Sequence, residues 1–512
     1  MWKVRTTKTA SGKTAVQVVN REKHQTKIIK HLGSADGKEN LDQLLRLADQ
    51  YIFEKDNNLP LLPEVFGVDE QNRHLVMVED LHFTNFYHHF AYEFLTAFYE
   101  RNGFNKLGNN LLRDLAIIRI IDPASKLRSV DLINKYFGFS YTKNIVYKGL
   151  ENLEKLKPKA KEIAVNYAQK YLNFDFSIVF YDVTTLYFET FASDPDFGEM
   201  KGLRKCGFSK ENRPNQPQIL IALIVNGDGY PIATNIFEGN TFEGHTFIPV
   251  ILDLKRAHNI KNLTVVADAA MLSINNMEEL RKQGLNYIVG ARLSNLSENL
   301  LKQVSEEINR QSGKYFKTKT PLGFLVCDYS QKRADKDKSD RKKQLLKAQN
   351  QINNPARFLK RSKFIKETTA STYVLNMELI QKDELLDGIK GYYTNLENMD
   401  NQLIVDRYHD LWKIEKAFRI AKSDLLARPI FHRKRDSIEA HILIVFVSLC
   451  VAKSIELFSG FSIKKIKDLI WDVLDIKLKD DLTGKTFTKR IDTIPRRATE
   501  ILERVNNQST AY

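Results

Sequence analysis

Two stretches of this chain, Phe176-Ser-Ile-Val-Phe-Tyr-Asp182 and Leu263-Thr-Val-Val-Ala-Asp268, are short apolar runs that each end on one aspartate. Runs of this length and composition fit buried β-strands. An ionised carboxylate is costly at such a place, because its desolvation must be offset by a cation or by hydrogen-bond donors. A third carboxylate, Glu415, lies 147 residues beyond Asp268, in the basic stretch Tyr408-His-Asp-Leu-Trp-Lys-Ile-Glu415-Lys-Ala-Phe-Arg419-Ile-Ala-Lys422. Three carboxylates converging on one point would suit divalent cations and phosphoryl-transfer chemistry.

The segments around the two aspartates set the fold class. Strand patterns run 176–188, 218–226, 230–239, 263–268 and 286–292, with helical patterns at 245–258 and 274–283. Asn226-Gly-Asp-Gly229 is a hairpin signal between the second and third strands. That order predicts a mixed α/β sheet. Residues 295–380 read as an insert with strands at Phe324–Tyr329 and Thr369–Leu379. Between them, Lys332 to Lys343 alternates charge sign, which fits a solvated helix or, alternatively, a DNA-facing one. A strand at Asp387–Thr394 returns to the core, and helices are expected from there to the end.

The N-terminal part differs. Residues 1–60 read as a small basic strand-and-helix unit, and 61–172 as a helical region expected to bind DNA. Within it, Ser125–Tyr136 and Tyr141–Lys148 fit either a helix-turn-helix pair or a plain helical bundle. The core would then occupy 173–294 and 386–445, with the insert at 295–385 and C-terminal helices at 446–512 for dimer or DNA contacts.

Composition narrows the partners. The chain has 512 residues, 78 of them basic and 63 acidic, and the net charge of +15 favours a polyanion. Three cysteines without a CxxC pair exclude a disulfide framework and a zinc knuckle. The N-terminus lacks the apolar stretch of a signal peptide, and the run Ile442–Ala452 is too short to span a bilayer. A cytoplasmic protein with no membrane partner is the expectation.

Each candidate residue also has a plainer reading. A strand-end aspartate often caps a turn, and this applies more to Asp268 than to Asp182. On one continuous helix Tyr408, Glu415 and Lys422 fall within roughly 20° of a line, beside an apolar stripe. The plainer alternative there is a surface helix with an i,i+4 Glu415–Arg419 pair. The basic loop Lys201–Lys205, continuing through Lys210 and Arg213, fits a DNA or partner contact, or a solvated loop.

A set of collinear blocks carries a resemblance. They are Tyr181-Asp182-Val-Thr-Thr185, Gly207-Phe-Ser-Lys-Glu-Asn-Arg-Pro214 with Gln218, Gly229-Tyr-Pro-Ile with Phe237-Glu-Gly-Asn240, Val266-Ala-Asp268 and Tyr287-Ile-Val-Gly-Ala-Arg292. The later blocks are Gly388-Ile-Lys-Gly-Tyr-Tyr-Thr394, Trp412-Lys-Ile-Glu415 through Leu425, and Arg428-Pro429 with His432-Arg433. Together they resemble the DDE insertion-sequence transposases, in the branch with a strand-rich insert before the final glutamate.

The resemblance implies an RNase H-like mixed sheet flanked by helices, an inserted strand-rich subdomain and a mainly helical N-terminal DNA-binding region. It implies Asp182, Asp268 and Glu415 as catalytic ligands of two Mg²⁺ ions, with Mn²⁺ able to substitute. Tyr408, Arg419 and Lys422 are then DNA contacts, joined by Lys210 and Arg213. The implied reaction is hydrolysis at the element ends, followed by attack of the freed 3′-OH groups on target DNA. Partners would be the terminal inverted repeats, target DNA and a second copy of the chain, in a bacterial, nucleoid-associated setting. Two alternatives share the residues: a DNA-binding protein without catalysis, and a nuclease of the same fold without strand transfer. The family signature departs at one place, where its arginine is replaced by Leu411 next to Trp412. The insert holds no Trp, so a hairpin intermediate is not inferred.

Overall fold

In the computed structural model, residues 2–22, 25–55, 80–196, 201–210, 212–354, 362–368, 373–491 and 494–509 are described. The chain divides into two compact units, one of residues 1–93, 135–138 and 468–499, the other of 94–134, 139–467 and 500–512.

The first unit opens with strands β1 (Trp2–Lys8), β2 (Thr14–Glu22) and β3 (Gln25–Ala35), which form an antiparallel meander. Helix α1 (Lys38–Lys55) covers it, and Val16, Val18 and Ala48 meet in a small core. The expected strand-then-helix order of the first 60 residues is present up to residue 55, and the remainder of that stretch lies outside the described residues. Strand β4 (Leu81–Tyr87) follows.

Helices α2 (His89–Arg101), α3 (Asn110–Ile121), α4 (Lys126–Phe137), α5 (Lys143–Leu153) and α6 (Lys157–Tyr171) come next. Side-chain caps start three of them: Asn109 accepts from the Leu112 amide, Ser125 from the Arg128 amide and Thr142 from the Ile145 amide.

The second unit is built on an eight-stranded sheet. Its first five strands are β5 (Ile178–Tyr187), β6 (Gln218–Val225), β7 (Pro231–Glu238), β8 (Thr264–Ala267) and β9 (Asn286–Gly290). Helix α7 (Glu243–Ala257) links β7 to β8, and α8 (Ile274–Lys282) links β8 to β9. The spatial order is β7-β6-β5-β8-β9, antiparallel across β5–β6–β7 and parallel across β5–β8–β9. That arrangement is the RNase H-like one. Residues 218–225 are buried at every position, as a central strand covered on both faces requires. The β6–β7 turn is fixed by Asn226, whose side-chain oxygen accepts from the Asp228 and Tyr230 amides, while Gly229 takes a φ of +78°.

The insert contributes α9 (Glu298–Ile308), β10 (Tyr315–Thr320), β11 (Gly323–Tyr329), α10 (Gln331–Asn353), β12 (Ile365–Glu367), β13 (Tyr373–Leu375) and α11 (Met377–Leu385). The charged stretch 332–343 is helical, as its sign alternation predicted. The strand expected at 369–379 reduces to β13, and Met377 already starts a helix; residues 369–372 lie outside the described residues. Strands β10 and β11 extend the main sheet. They join it through β14 (Ile389–Thr394), which pairs antiparallel with both β11 and β9. A satellite core of Ala348, Phe364, Ile365 and Ile380 holds α10, α11 and the short β12–β13 pair together.

After β14 come α12 (Asn401–His409), α13 (Trp412–Arg419) and α14 (Arg435–Ser459). Helix α14 is apolar and long enough to cross a membrane by length and composition, yet most of its apolar window is buried against α3, α5 and β7. It is a core helix, as expected for Ile442–Ala452.

After α15 (Ile463–Trp471), strands β15 (Leu474–Asp480) and β16 (Thr486–Ile491) form a hairpin in the first unit, where helices were expected. Strand β15 also pairs with β4, and Arg490 holds both Asp475, at 2.6 and 2.8 Å, and Glu93, at 2.9 and 3.1 Å. The last helix is α16 (Arg496–Ser509).

Candidate active site

The parallel register sets Tyr181 against Ala267, so Asp182 and Asp268 are the next residues on neighbouring strands. Strand β8 stops there, whereas β5 runs on to Tyr187 against β6. The Asp182 Oδ1 accepts from the Val183 amide at 2.7 Å. The Asp268 Oδ1 accepts from the Ala269 amide at 2.6 Å and from the Tyr408 hydroxyl at 3.4 Å. The turn-capping reading of Asp268 is therefore realised, and it uses only one carboxylate oxygen. Among the described residues, the second oxygen of each aspartate has no hydrogen-bond partner.

Asp182 is half-buried, and burial pushes its carboxyl up to about 6. Lys210 and the Val183 amide pull it down, while Asp268 and Glu243 push it further up. Desolvation is the largest of these effects, so the strand position itself disfavours the Asp182 charge.

The cations nearby come from separate elements. Lys210 donates to the Val183 carbonyl at 2.7 Å and pairs with Glu243 at 2.8 Å. The basic loop is thus anchored on β5 beside Asp182. Gln218 secures the same loop by donating to the carbonyls of Phe208 and Gly239. Arg213 stands 4.2 Å over the Tyr187 ring and donates to Gln216, further along the strand. Lys422 feels both Asp182 and Lys210, and burial lowers its ammonium to about 8.

The helical segment that carries Tyr408, Glu415 and Lys422 is not one continuous helix. After α12 the chain tightens into i→i+3 bonds from Leu411 to Tyr408 and from Lys413 to Asp410. After α13 it loosens into a π-turn over Ile420–Asp424. Single π-turns recur at functional sites. Overwinding and then underwinding leaves Tyr408 facing Asp268 and Lys422 facing Asp182. Leu411 is buried, so the position where the signature arginine is missing serves packing.

Glu415 is exposed on α13, which packs on β5 and β6. It acts on the charges of Tyr408 and Lys390 but forms no hydrogen bond or ion pair among the described residues. The i,i+4 pair with Arg419 is not made, and Arg419 is exposed. Among the described residues, no three His, Cys, Asp or Glu side chains are gathered closely enough to hold an ion as a set. The structure brings Asp182 and Asp268 together, whereas Glu415 is linked to them only through its influence on Tyr408 and Lys390.

Three residues were missed by the sequence reading. Glu243, at the start of α7, is a further carboxylate near Asp182. Lys390 on β14 stands 4.5 Å over the Tyr408 ring, and Arg333 on α10 acts on both Tyr408 and Lys390. Glu243 lies just past the Phe237–Asn240 block, without a distinguishing spacing. Arg333 was hidden in a charge run whose solvated reading holds for most of its members.

A glycine completes the arrangement. A Cβ on Gly290 would come within 2.4 Å of the Tyr408 hydroxyl oxygen, so the end of β9 must lack a side chain for that phenol to reach Asp268.

The strand order, with Asp182 within β5 and Asp268 just past the end of β8, is that of the RNase H-like class. Residues 174–451 match the family model described as the transposase DDE domain, and the chain belongs to that family. The family acts on DNA and uses divalent metal ions. Among solved structures, the chain is similar to the piggyBac transposase synaptic complex with hairpin DNA. The two share 12% identity over 75% of this chain and 69% of that one, with a TM-score of 0.36. No curated protein matches the sequence.

Proposed function

We propose that this protein is an insertion-sequence transposase that cuts the ends of its element and joins the freed 3′-OH groups to target DNA. The observation that carries this reading is the register-matched pair Asp182 and Asp268, each with one oxygen left without a hydrogen-bond partner among the described residues. Donors made only of oxygen fit a hard divalent cation. Asp182 and Asp268 would hold two Mg²⁺ ions together with Glu415, and Mn²⁺ would be accepted in their place. When bound, the ions lower the pKa of water or a DNA hydroxyl and stabilise the departing oxygen.

The chain's own residues position the DNA. Tyr408 is held by Asp268 on one side and by the Lys390 ammonium over its ring on the other, so its hydroxyl is fixed at the aspartate pair. Lys422 offers its charge to a phosphate beside Asp182. Lys210 is already engaged by Glu243 and the Val183 carbonyl, so it shapes the potential at Asp182 more than it reaches out. Arg419 and Arg213 extend the basic track at the surface. Cutting two ends in concert requires two protomers, and a DNA-bound homodimer follows.

Incubation with element-end DNA and Mg²⁺ tests the reading. Asp182→Asn, Asp268→Asn and Glu415→Gln should each abolish nicking and leave end binding within a few-fold of wild type. Wild-type cleavage by any one of them removes that residue from the ligand set. Binding without cleavage by the unmodified chain marks a DNA-binding protein, and cleavage without joining marks a nuclease.

A further inference from the structure

The second unit also holds a basic concavity. A cavity of about 580 Å³ lies between the start of α4, the α5 helix and the segment Leu426–His441. That volume is within the roughly 300–1,000 Å³ range of small-molecule sites. Its lining is strongly cationic and includes Arg119, Lys126, Arg428, Arg433 and Lys434. The one carboxylate among the lining residues, Glu151, is paired with Lys434 at 3.6 Å.

Lys126 is only 6% exposed and donates to His441 Nδ1 at 3.0 Å. The His441 Nε2 lies 2.9 Å from the Ala427 carbonyl, which makes Nε2 the donor and leaves Nδ1 to accept from the lysine. Lys126 thus has a neutral partner where a buried ammonium ordinarily takes a carboxylate. Burial holds Lys126 and His441 well below their ordinary protonation ranges, and Arg119 beside them adds to both shifts. An arriving anion would supply the missing charge.

The wall is not cationic throughout. Leu127, Val146 and Leu150 line it as well, and Phe431 and Tyr147 are 63% and 55% exposed at it. An inorganic anion would leave those apolar groups unmet. A base stacked on an aromatic ring, with its phosphate toward the cations, would meet both.

We infer that this cavity takes one unpaired nucleotide of the DNA substrate, with its base on Phe431 and Tyr147 and its phosphate toward Lys126. The inference rests on the reading of the chain as a DNA-cutting protein. A duplex keeps its bases stacked inside and has none to offer such a concavity, so the site selects a displaced or frayed strand.

Anisotropy titrations with a fluorescein-labelled short oligothymidylate, in EDTA, test it on the full chain. Phe431→Ala and Tyr147→Ala should each weaken binding about tenfold, while the matching duplex should bind without responding to either. Both side chains are largely exposed, so these variants keep the fold. Lys126→Gln should weaken the oligonucleotide further and flatten its salt dependence. Unchanged affinity in both aromatic variants, or full displacement by inorganic phosphate, overturns the proposal. Because EDTA removes cleavage, Mg²⁺-dependent nicking by the wild type is scored separately. Nicking without the aromatic effect sinks the pocket alone; the aromatic effect without nicking sinks the DNA-cutting reading alone.

Discussion

Asp182 is held in a strand that would be more stable without its charge. Its carboxyl is raised to about 6, so in the ion-free protein its penalty grows as pH rises from about 4 through 6. The neutral amide in Asp182→Asn escapes that penalty. In EDTA the variant should therefore melt higher than wild type at pH 7.5, with the gain shrinking toward pH 5. Equal melting temperatures at both pH values would show that burial does not raise this group. At Gly290 the constraint is steric. Gly290→Ala would press a methyl group against the Tyr408 hydroxyl, and displacement of a positioning group by about 1 Å can cost about a hundredfold in rate. Single-turnover nicking should fall by that order while DNA affinity holds.

Among the elements, the insert depends on one buried ion pair. Arg341 on α10 grips Asp387 at 2.5 and 2.6 Å, just before Gly388 turns the chain into β14. Removing one partner of a buried pair typically costs about 3–5 kcal/mol. Asp387→Ala should lower the urea midpoint, and hydrogen exchange should place the loss in α10 and β14 rather than in β5–β7. Strands β5 to β9 were legible because apolar runs of strand length are a local signal. The three-residue β12 and β13 were missed or misplaced because few residues carry their pattern, and β10 because Tyr-Phe-Lys-Thr-Lys-Thr has no apolar run. The break and π-turn around α13 were also invisible, since helix arithmetic assumes one uniform twist. Lys422 nevertheless reaches Asp182, because the tight turn and the loose one partly cancel.

Across the whole molecule, charge sets the partner and the salt response. With a net charge of +15, end-DNA affinity should fall steeply between low and moderate salt as phosphate contacts release counterions. A flat response would remove the basic surface from the DNA footprint. The first unit illustrates what sequence reading could not reach: β4 pairs with β15, and Thr84 donates to the Lys477 carbonyl across 393 residues. No local pattern encodes such a pairing.

By itself the sequence determined the strand and helix content of the core, the family blocks and the identity of the two aspartates. The element content follows from periodicity, which acts within a few residues; the aspartates were raised by burial cost and singled out by the resemblance that the collinear blocks carry. Only the tertiary structure decided that the aspartates are register neighbours, that Glu243, Lys390 and Arg333 share their surroundings, and that Leu411 is core. Those facts depend on strand register and on elements that meet across long sequence separations, where the energy lies in pair geometry rather than in any one segment.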